Sequence, residues 1–388
     1  LKLLTHPDSG AIAAAPTTSL PEQIGGVRNW DYRYCWVRDS SFVVQALHSL
    51  GHLAEAHDFL QFIENACMQD GEIRGDLQIM YGLRGERELP EFTLDHLEGY
   101  RGSAPVRIGN AAAGQRQHDI YGELMDAAYE LARRGADFDA RSWSFFGKVV
   151  DTACSRWRES DSGIWEVRDR QHHFVHSKVM VWVALDRGVR LAERWKIPGN
   201  HRLWRTTRDA LSKMIFRQGY NADINAFTQT FGSTNVDASS LRFPIEEFVD
   251  AADPRMLGTI DRILERLTEN GLVYRYLTDD GLPGSEGAFG LCTYWMVDAL
   301  TLAGRTDEAW SIFETMASHA SPLGLYAEQI DPRTGEFLGN FPQAFTHLGL
   351  INSALYLARA EGRPVPAGAR LVGTRAENRG GSAEATEL

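Results

Sequence analysis

The chain reads as an all-α protein assembled from antiparallel helix pairs, and three observations carry that reading. Apolar residues recur at three- and four-residue spacing in one segment after another, and a short turn usually leads to a second such segment. Only brief strand-like runs appear, of which Leu272–Leu277 is an example. Helix pairs in series build either an open α-solenoid or a closed double ring, an (α/α) barrel. The pairs recur at very roughly fifty residues without strict repetition, which disfavours a short-period solenoid. The third observation favours the barrel: long loops follow one helix of a pair and carry aromatic and acidic residues. In a ring such loops gather at one end and make one pocket.

Taken in order, Leu1–Leu4 reads as the last turn of a helix stopped by Pro7, so the chain is expected to begin inside an element. Residues 5–29 are loop-like, punctuated by Pro7, Gly10, Pro16, Pro21 and Gly25-Gly26. Asn29–Asp39 then packs four aromatics, two arginines and two aspartates into eleven residues. A core helix would not hold four charges this way. A sugar would suit them: rings for its C–H faces and bidentate charged partners for its hydroxyls. The alternative is an aromatic-rich loop packed against helices. Ser40-Ser41 opens a helix carrying Phe42, Val43, Ala46, Leu47 and Leu50, ended by Gly51. A second helix presents Leu53, Ala56, Phe59, Leu60, Ile63 and Ala66. Residues 70–114 are mostly irregular, and ordered loops of that length are usually functional. Helices are then expected over Gln115–Arg134 and Ser142–Arg158, Lys178–Arg194 and Arg202–Gln218, and, more weakly, Ala238–Glu246 and Pro254–Thr268. Gly287–Ala303, Thr306–Ser318 and Gln343–Ala360 complete the set. From Pro364 the composition predicts a disordered tail.

Composition narrows the function. The net charge of −12 disfavours a nucleic-acid partner, which would ask for clustered Lys and Arg. The short basic runs Arg133-Arg134 and Arg187/Arg190 read as solvated helix faces. No apolar run approaches the ~18 residues of a membrane span. The four cysteines, Cys35, Cys67, Cys154 and Cys292, form no zinc-binding pattern and fit a reducing, cytoplasmic setting. His172-His173 and His176 lack a nearby carboxylate pattern, so no metal or cofactor is expected.

Two loops carry candidate chemistry. Gly163-Ile164-Trp165-Glu166 and Gly324-Leu325-Tyr326-Ala327-Glu328-Gln329 each set a carboxylate beside an aromatic. Glycoside hydrolysis needs two carboxyl groups flanking the bond, one protonated. An apolar pocket holds a proton on a carboxyl by disfavouring its charge, and Trp165 gives Glu166 such surroundings. The competing reading is two acidic residues on solvated turns.

A collinear set of motifs decides between them. Ala14–Glu22, Gly25–Asp39, Gln78–Gly82, Gly102–Ala112, Gly163–Glu166, His176–Met180 and Gly339–Phe345 follow the order of the glucoamylase-type inverting glycoside hydrolases, family fifteen, and the chain resembles their bacterial members. The resemblance implies a single (α/α)6 barrel over residues 1–363 and a flexible tail over 364–388. Glu166 matches the general acid and Glu328 the general base. Arg38 and Asp39 match the pair gripping the terminal glucose, and Tyr32 and Trp36 match aromatics lining that subsite. Arg275 resembles a hydroxyl-clamping arginine and Trp165 a stacking wall.

Lesser candidates have plainer readings. Trp295 and His347 read as packing residues, Asp119 as a helix-dipole partner, Lys178 as half of a salt bridge, and Glu286 as either a cap or a pocket residue.

Two departures stand out. Fungal members follow the acid with a second glutamate, whereas here Val167 and then Arg168 follow. Bacterial relatives carry an upstream β-sandwich domain and a linker helix, and this sequence is expected to start where that helix would be ending. The implied activity is inverting release of β-glucose from oligosaccharides, with a glucoamylase-like exo-α-glucosidase placed first and hydrolysis of α,α-trehalose second. A non-catalytic sugar-binding module is the alternative outside enzymology.

Overall fold

In the computed structural model, which describes residues 1–69, 72–367 and 369, ten α-helices occur among the described residues. They are α1 (Val37–Ser49), α2 (Leu53–Ala66), α3 (Asp119–Arg133), α4 (Ala140–Arg156), α5 (Val175–Trp195), α6 (His201–Gln218), α7 (Pro254–Leu267), α8 (Gly290–Leu302), α9 (Thr306–Ser318) and α10 (Ala344–Ala360).

Burial sorts them into two rings. α1, α3, α5 and α8 are buried over nearly their whole circumference. α6 and α7 bury a single stripe, such as Met256, Ile260, Ile263 and Leu267 of α7. A helix enclosed on every side belongs inside, and a one-stripe helix belongs on the rim. The inner ring closes on itself: α1 packs on α3, α3 on α5, α5 on the 3₁₀ helix Ala238–Arg242, that on α8, α8 on α10, and α10 back on α1. The remaining five helices pack outside it. This is the (α/α)6 barrel expected from the sequence, with a 3₁₀ helix in one inner position. Strands among the described residues are two to four residues long, in two-stranded pairs and one three-stranded sheet.

Several elements differ from the sequence reading for local reasons. α1 begins at Val37, not at Ser40, because the Val37 N–H is already bonded to the Ile79 carbonyl (2.9 Å) where Cys35–Trp36 pairs with Met80–Tyr81. Arg38 and Asp39 therefore stand in the first helical turn. α3 begins at Asp119, because Gln115 stays outside and turns its amide to the Glu166 carbonyl (3.1 Å). The helix expected over Ala238–Glu246 stops at Arg242. Pro244 lacks an N–H and cannot extend the turn, and Glu247 takes a left-handed φ of 60°. The segment expected to end a helix at Leu1–Leu4 forms a 3₁₀ turn over Lys2–Leu4, and Leu272–Leu277 pairs only over Leu272–Val273.

Two charge readings are also corrected. Arg187 is no solvated face: it is buried, 2.8 Å from both Asp126 and Asp186. Among the described residues Lys178 forms no salt bridge within 4.0 Å; its ammonium donates to the backbone carbonyls of Trp157 and Glu159. Most of the tail expected to be disordered lies outside the described residues. No helix of the described residues is long and apolar enough to cross a membrane.

Candidate active site

The loops at one end of the ring line one partly open cavity. Tyr32, Trp36, Arg38, Asp39, Trp165, Glu166, Arg275 and Glu328 all line it. Every site residue named from the sequence thus meets at one place, although they come from four separate stretches of chain.

Glu166 sits on a tight turn. Its N–H donates to the Gly163 carbonyl (3.2 Å), and its backbone adopts φ 60°, a region costly for any residue with a Cβ. Gly163 is itself left-handed at φ 69°, and a Cβ there would stand 2.8 Å from the Phe174 ring. The turn aims the Glu166 carboxylate at the cavity, where Oε1 accepts from Trp36 Nε1 (2.7 Å) and lies 3.7 Å from Arg38 Nη2. Trp165, just before it, donates Nε1–H to both oxygens of buried Asp237 at 2.9 and 3.0 Å. Its ring is set by Phe289 and Trp295, at centroid distances of 5.5 and 6.0 Å. Trp295 is therefore packing, as expected.

Glu328 precedes the central strand, Gln329–Ile330, of a three-stranded antiparallel sheet with Ala288–Phe289 and Phe337–Leu338. Its carboxylate is almost fully buried. Oε1 accepts from the Tyr32 hydroxyl (2.7 Å), and Oε2 has no hydrogen-bond partner among the described residues. Burial pushes this carboxyl up to about 7, with Arg275 opposing the shift. Gly339 makes room for it, since a Cβ there would stand 2.4 Å from Oε2.

Arg38 is fixed by Asp39 (3.1 Å), the Ile164 carbonyl (2.7 Å) and Gln117 (3.3 Å). Burial raises Asp39 to about 7 and Asp119 to about 6, and each is opposed by Arg38. Asp119 is thus more than a helix-dipole partner: it is wholly buried, 4.0 Å from Arg38. Arg275 meets Glu286 at 2.5 Å, and Glu286 also holds Arg28 at 2.5 Å. Glu286 is therefore a pocket residue, not only a cap.

Glu22, Arg28, Asp280 and Gln117 were missed as site residues. Glu22 accepts from Trp30 Nε1 (3.1 Å), and burial holds it well above the usual carboxylate range. Its position within the matched run Ala14–Glu22 was a usable signal; the Arg28–Asp280 pairing, across 252 positions, had none. Among the described residues no cluster of three or more His, Cys, Asp or Glu side chains suits a metal.

This arrangement can hold a polyol by its hydroxyls, stack its carbon face, and offer it two carboxyl groups in unlike surroundings. Known proteins agree with it. A match to the family described as glycosyl hydrolases family 15 covers residues 1–355. A trehalase of Mycobacterium tuberculosis is 48% identical over 93% of this chain and 53% of its own length. A trehalase of Thermoplasma volcanium is 41% identical over 93% of the chain and 57% of its own. The chain thus spans about half the length of these curated relatives. Among solved structures, a wild-type glycosidase superposes with a TM-score of 0.72 at 19% identity, covering 94% of both chains. A bacterial glucoamylase complexed with acarbose superposes with a TM-score of 0.68 at 16% identity, over 92% of this chain and 53% of that one. The chain belongs to glycosyl hydrolases family 15.

Proposed function

We propose that this barrel hydrolyses α,α-trehalose to two glucose molecules with inversion at one anomeric carbon. The trehalase-named relatives, at over 40% identity along nearly the whole chain, carry the choice of substrate. The exo-α-glucosidase reading placed first from the sequence gives way to the second, because the glucoamylase structures are too distant to bear on more than fold.

In this reading Arg38 and Asp39 hold one glucose by its hydroxyls, with Tyr32, Trp36, Trp165 and Arg275 shaping its walls. Glu166 gives its proton to the bridging oxygen as the C1–O bond breaks. Glu328 Oε2 takes a proton from a water, whose oxygen bonds to C1 from the opposite face. The held glucose leaves as the β-anomer and the other as the α-anomer. Glu328 suits a base because one oxygen is already fixed by Tyr32 and the other is unengaged. Raised to about 7, it is more basic than an ordinary carboxylate.

The test is glucose release from trehalose, maltose, isomaltose and starch, with NMR of the first-formed anomers. Trehalose is expected to be the best substrate and to give α- and β-glucose in equal amounts before mutarotation. α-Glucose alone would mean retention and overturn the mechanism, and inertness to trehalose with release from maltose would overturn the substrate.

A further inference from the structure

Four arginines line the cavity, and three of them are held by carboxylates. Arg28 lies 2.7 Å from Asp280, Arg38 lies 3.1 Å from Asp39, and Arg275 lies 2.5 Å from Glu286. Arg168 is different. Its one ion-pair partner among the described residues is Glu91, at 4.0 Å, and its guanidinium makes no hydrogen bond there. It is nonetheless ordered by its surroundings. The guanidinium lies over the Trp30 ring, 4.3 Å from the centroid, and the Arg168 N–H donates to the Asp280 carbonyl (3.2 Å). A stacked guanidinium keeps its N–H edge available, because stacking occupies only the flat face. Trp30 is buried and is itself held by Glu22, so the platform is rigid.

Arg168 stands two residues after Glu166, on the same loop. A group that protonates the bridging oxygen faces the departing sugar, so its loop lies along that side of the cavity. We propose that Arg168 grips the second glucose: its guanidinium edge donates to the hydroxyls of the departing sugar and sets a preference for a sugar over an apolar leaving group. This inference rests on the trehalose reading, but its test separates from that reading. Because the arginine is pre-oriented by Trp30, little side-chain freedom is lost when the sugar arrives.

The experiment compares kcat/KM for trehalose and for 4-nitrophenyl α-D-glucopyranoside in the full chain and in Arg168→Gln and Arg168→Lys. Both substrates present the same first glucose, and only trehalose offers hydroxyls on the departing side. Arg168→Gln is expected to lower the trehalose-to-aryl-glucoside ratio by about tenfold or more, chiefly through KM, as loss of hydrogen bonds to a bound hydroxyl does. Arg168→Lys should recover part of it. Equal losses on the two substrates would reduce Arg168 to a structural residue and overturn the proposal. If the unaltered chain cleaves maltose and not trehalose, the substrate reading fails, and the same ratio taken with maltose judges Arg168. If it cleaves neither, calorimetric Kd values for trehalose against methyl α-D-glucoside give the ratio, and an unchanged ratio in Arg168→Gln overturns the proposal.

Discussion

As the proposed base, Glu328 would serve chemistry at the expense of stability. Burial lifts its carboxyl to about 7, against an ordinary value of 4.5. Between those values the folded chain binds a proton that the unfolded chain has lost. Stability attributable to this group is therefore complete below about pH 4.5 and falls as pH rises through 7. The base needs the ionised form, so kcat/KM should climb with pH through about 7 on its acidic limb. Glu328→Gln should lower turnover by about 10²-fold or more. The same variant should gain up to about 3 kcal/mol relative to the unaltered chain between pH 4 and pH 8. Thermal melts across that range, read beside glucose release, check both. A variant equally stable at the two pH values relative to the parent would remove the burial argument, and near-normal turnover would remove the base. This residue was legible in the sequence because it sits in a motif. Its partner Tyr32 was named as a pocket wall only, since a contact across 296 positions leaves no local trace.

At the scale of elements, small turns do the aiming. Gly339 ends the strand Phe337–Leu338 at φ 71°, directly against the Glu328 carboxylate. Gly339→Ala faces two costs, a left-handed backbone and a Cβ inside the carboxylate's space. It should lower kcat/KM by about tenfold or more while circular dichroism still reports a helical barrel. Normal activity would show that the loop relaxes without moving Glu328. Helix existence was readable from periodicity throughout, because each amphipathic stripe is a local property. Helix starts were not always: the start of α1 is set by the Ile79 carbonyl, which the sequence around Ser40 does not contain. The Ala238–Glu246 segment had a helical pattern, and Pro244 cut it short.

For the whole molecule, the rings enclose two kinds of interior. Apolar side chains fill the space between inner and outer helices, and charges gather inside the inner ring. Asp119, Glu123, Asp126 and Glu130 follow one face of α3 at four-, three- and four-residue steps. Arg38, Arg242 and Arg187 meet the first three at 4.0, 3.6 and 2.8 Å, from three other stretches of chain. Arg133 and Arg134 meet the fourth from the end of α3 itself. Of these arginines the sequence placed Arg187 on a solvated face and the structure buries it, because periodicity separates inside from outside only when inside means apolar. Asp126→Ala removes a carboxylate from buried Arg187 and should cost about 3 kcal/mol of unfolding free energy. Urea melts of Asp126→Ala, with Asp126→Asn as the milder partner, measure it. A loss below about 0.5 kcal/mol would mean that Asp186, Glu247 and the Glu246 carbonyl satisfy Arg187 without it.

Glu166 and Glu328, the acid and base of the proposed reaction, are both held from one short piece of chain. Trp36 bonds Glu166, Tyr32 bonds Glu328, and the two rings touch edge to face at 5.4 Å. Tyr32 and Trp36 thus act as the jaws of a caliper whose hinge is the three residues between them, Arg33 to Cys35. Both carboxylates are tethered to that run by these hydrogen bonds. In the proposed reaction the gap between these two carboxylates would decide whether a water fits between sugar and base, and it is gauged locally rather than by the diameter of the barrel.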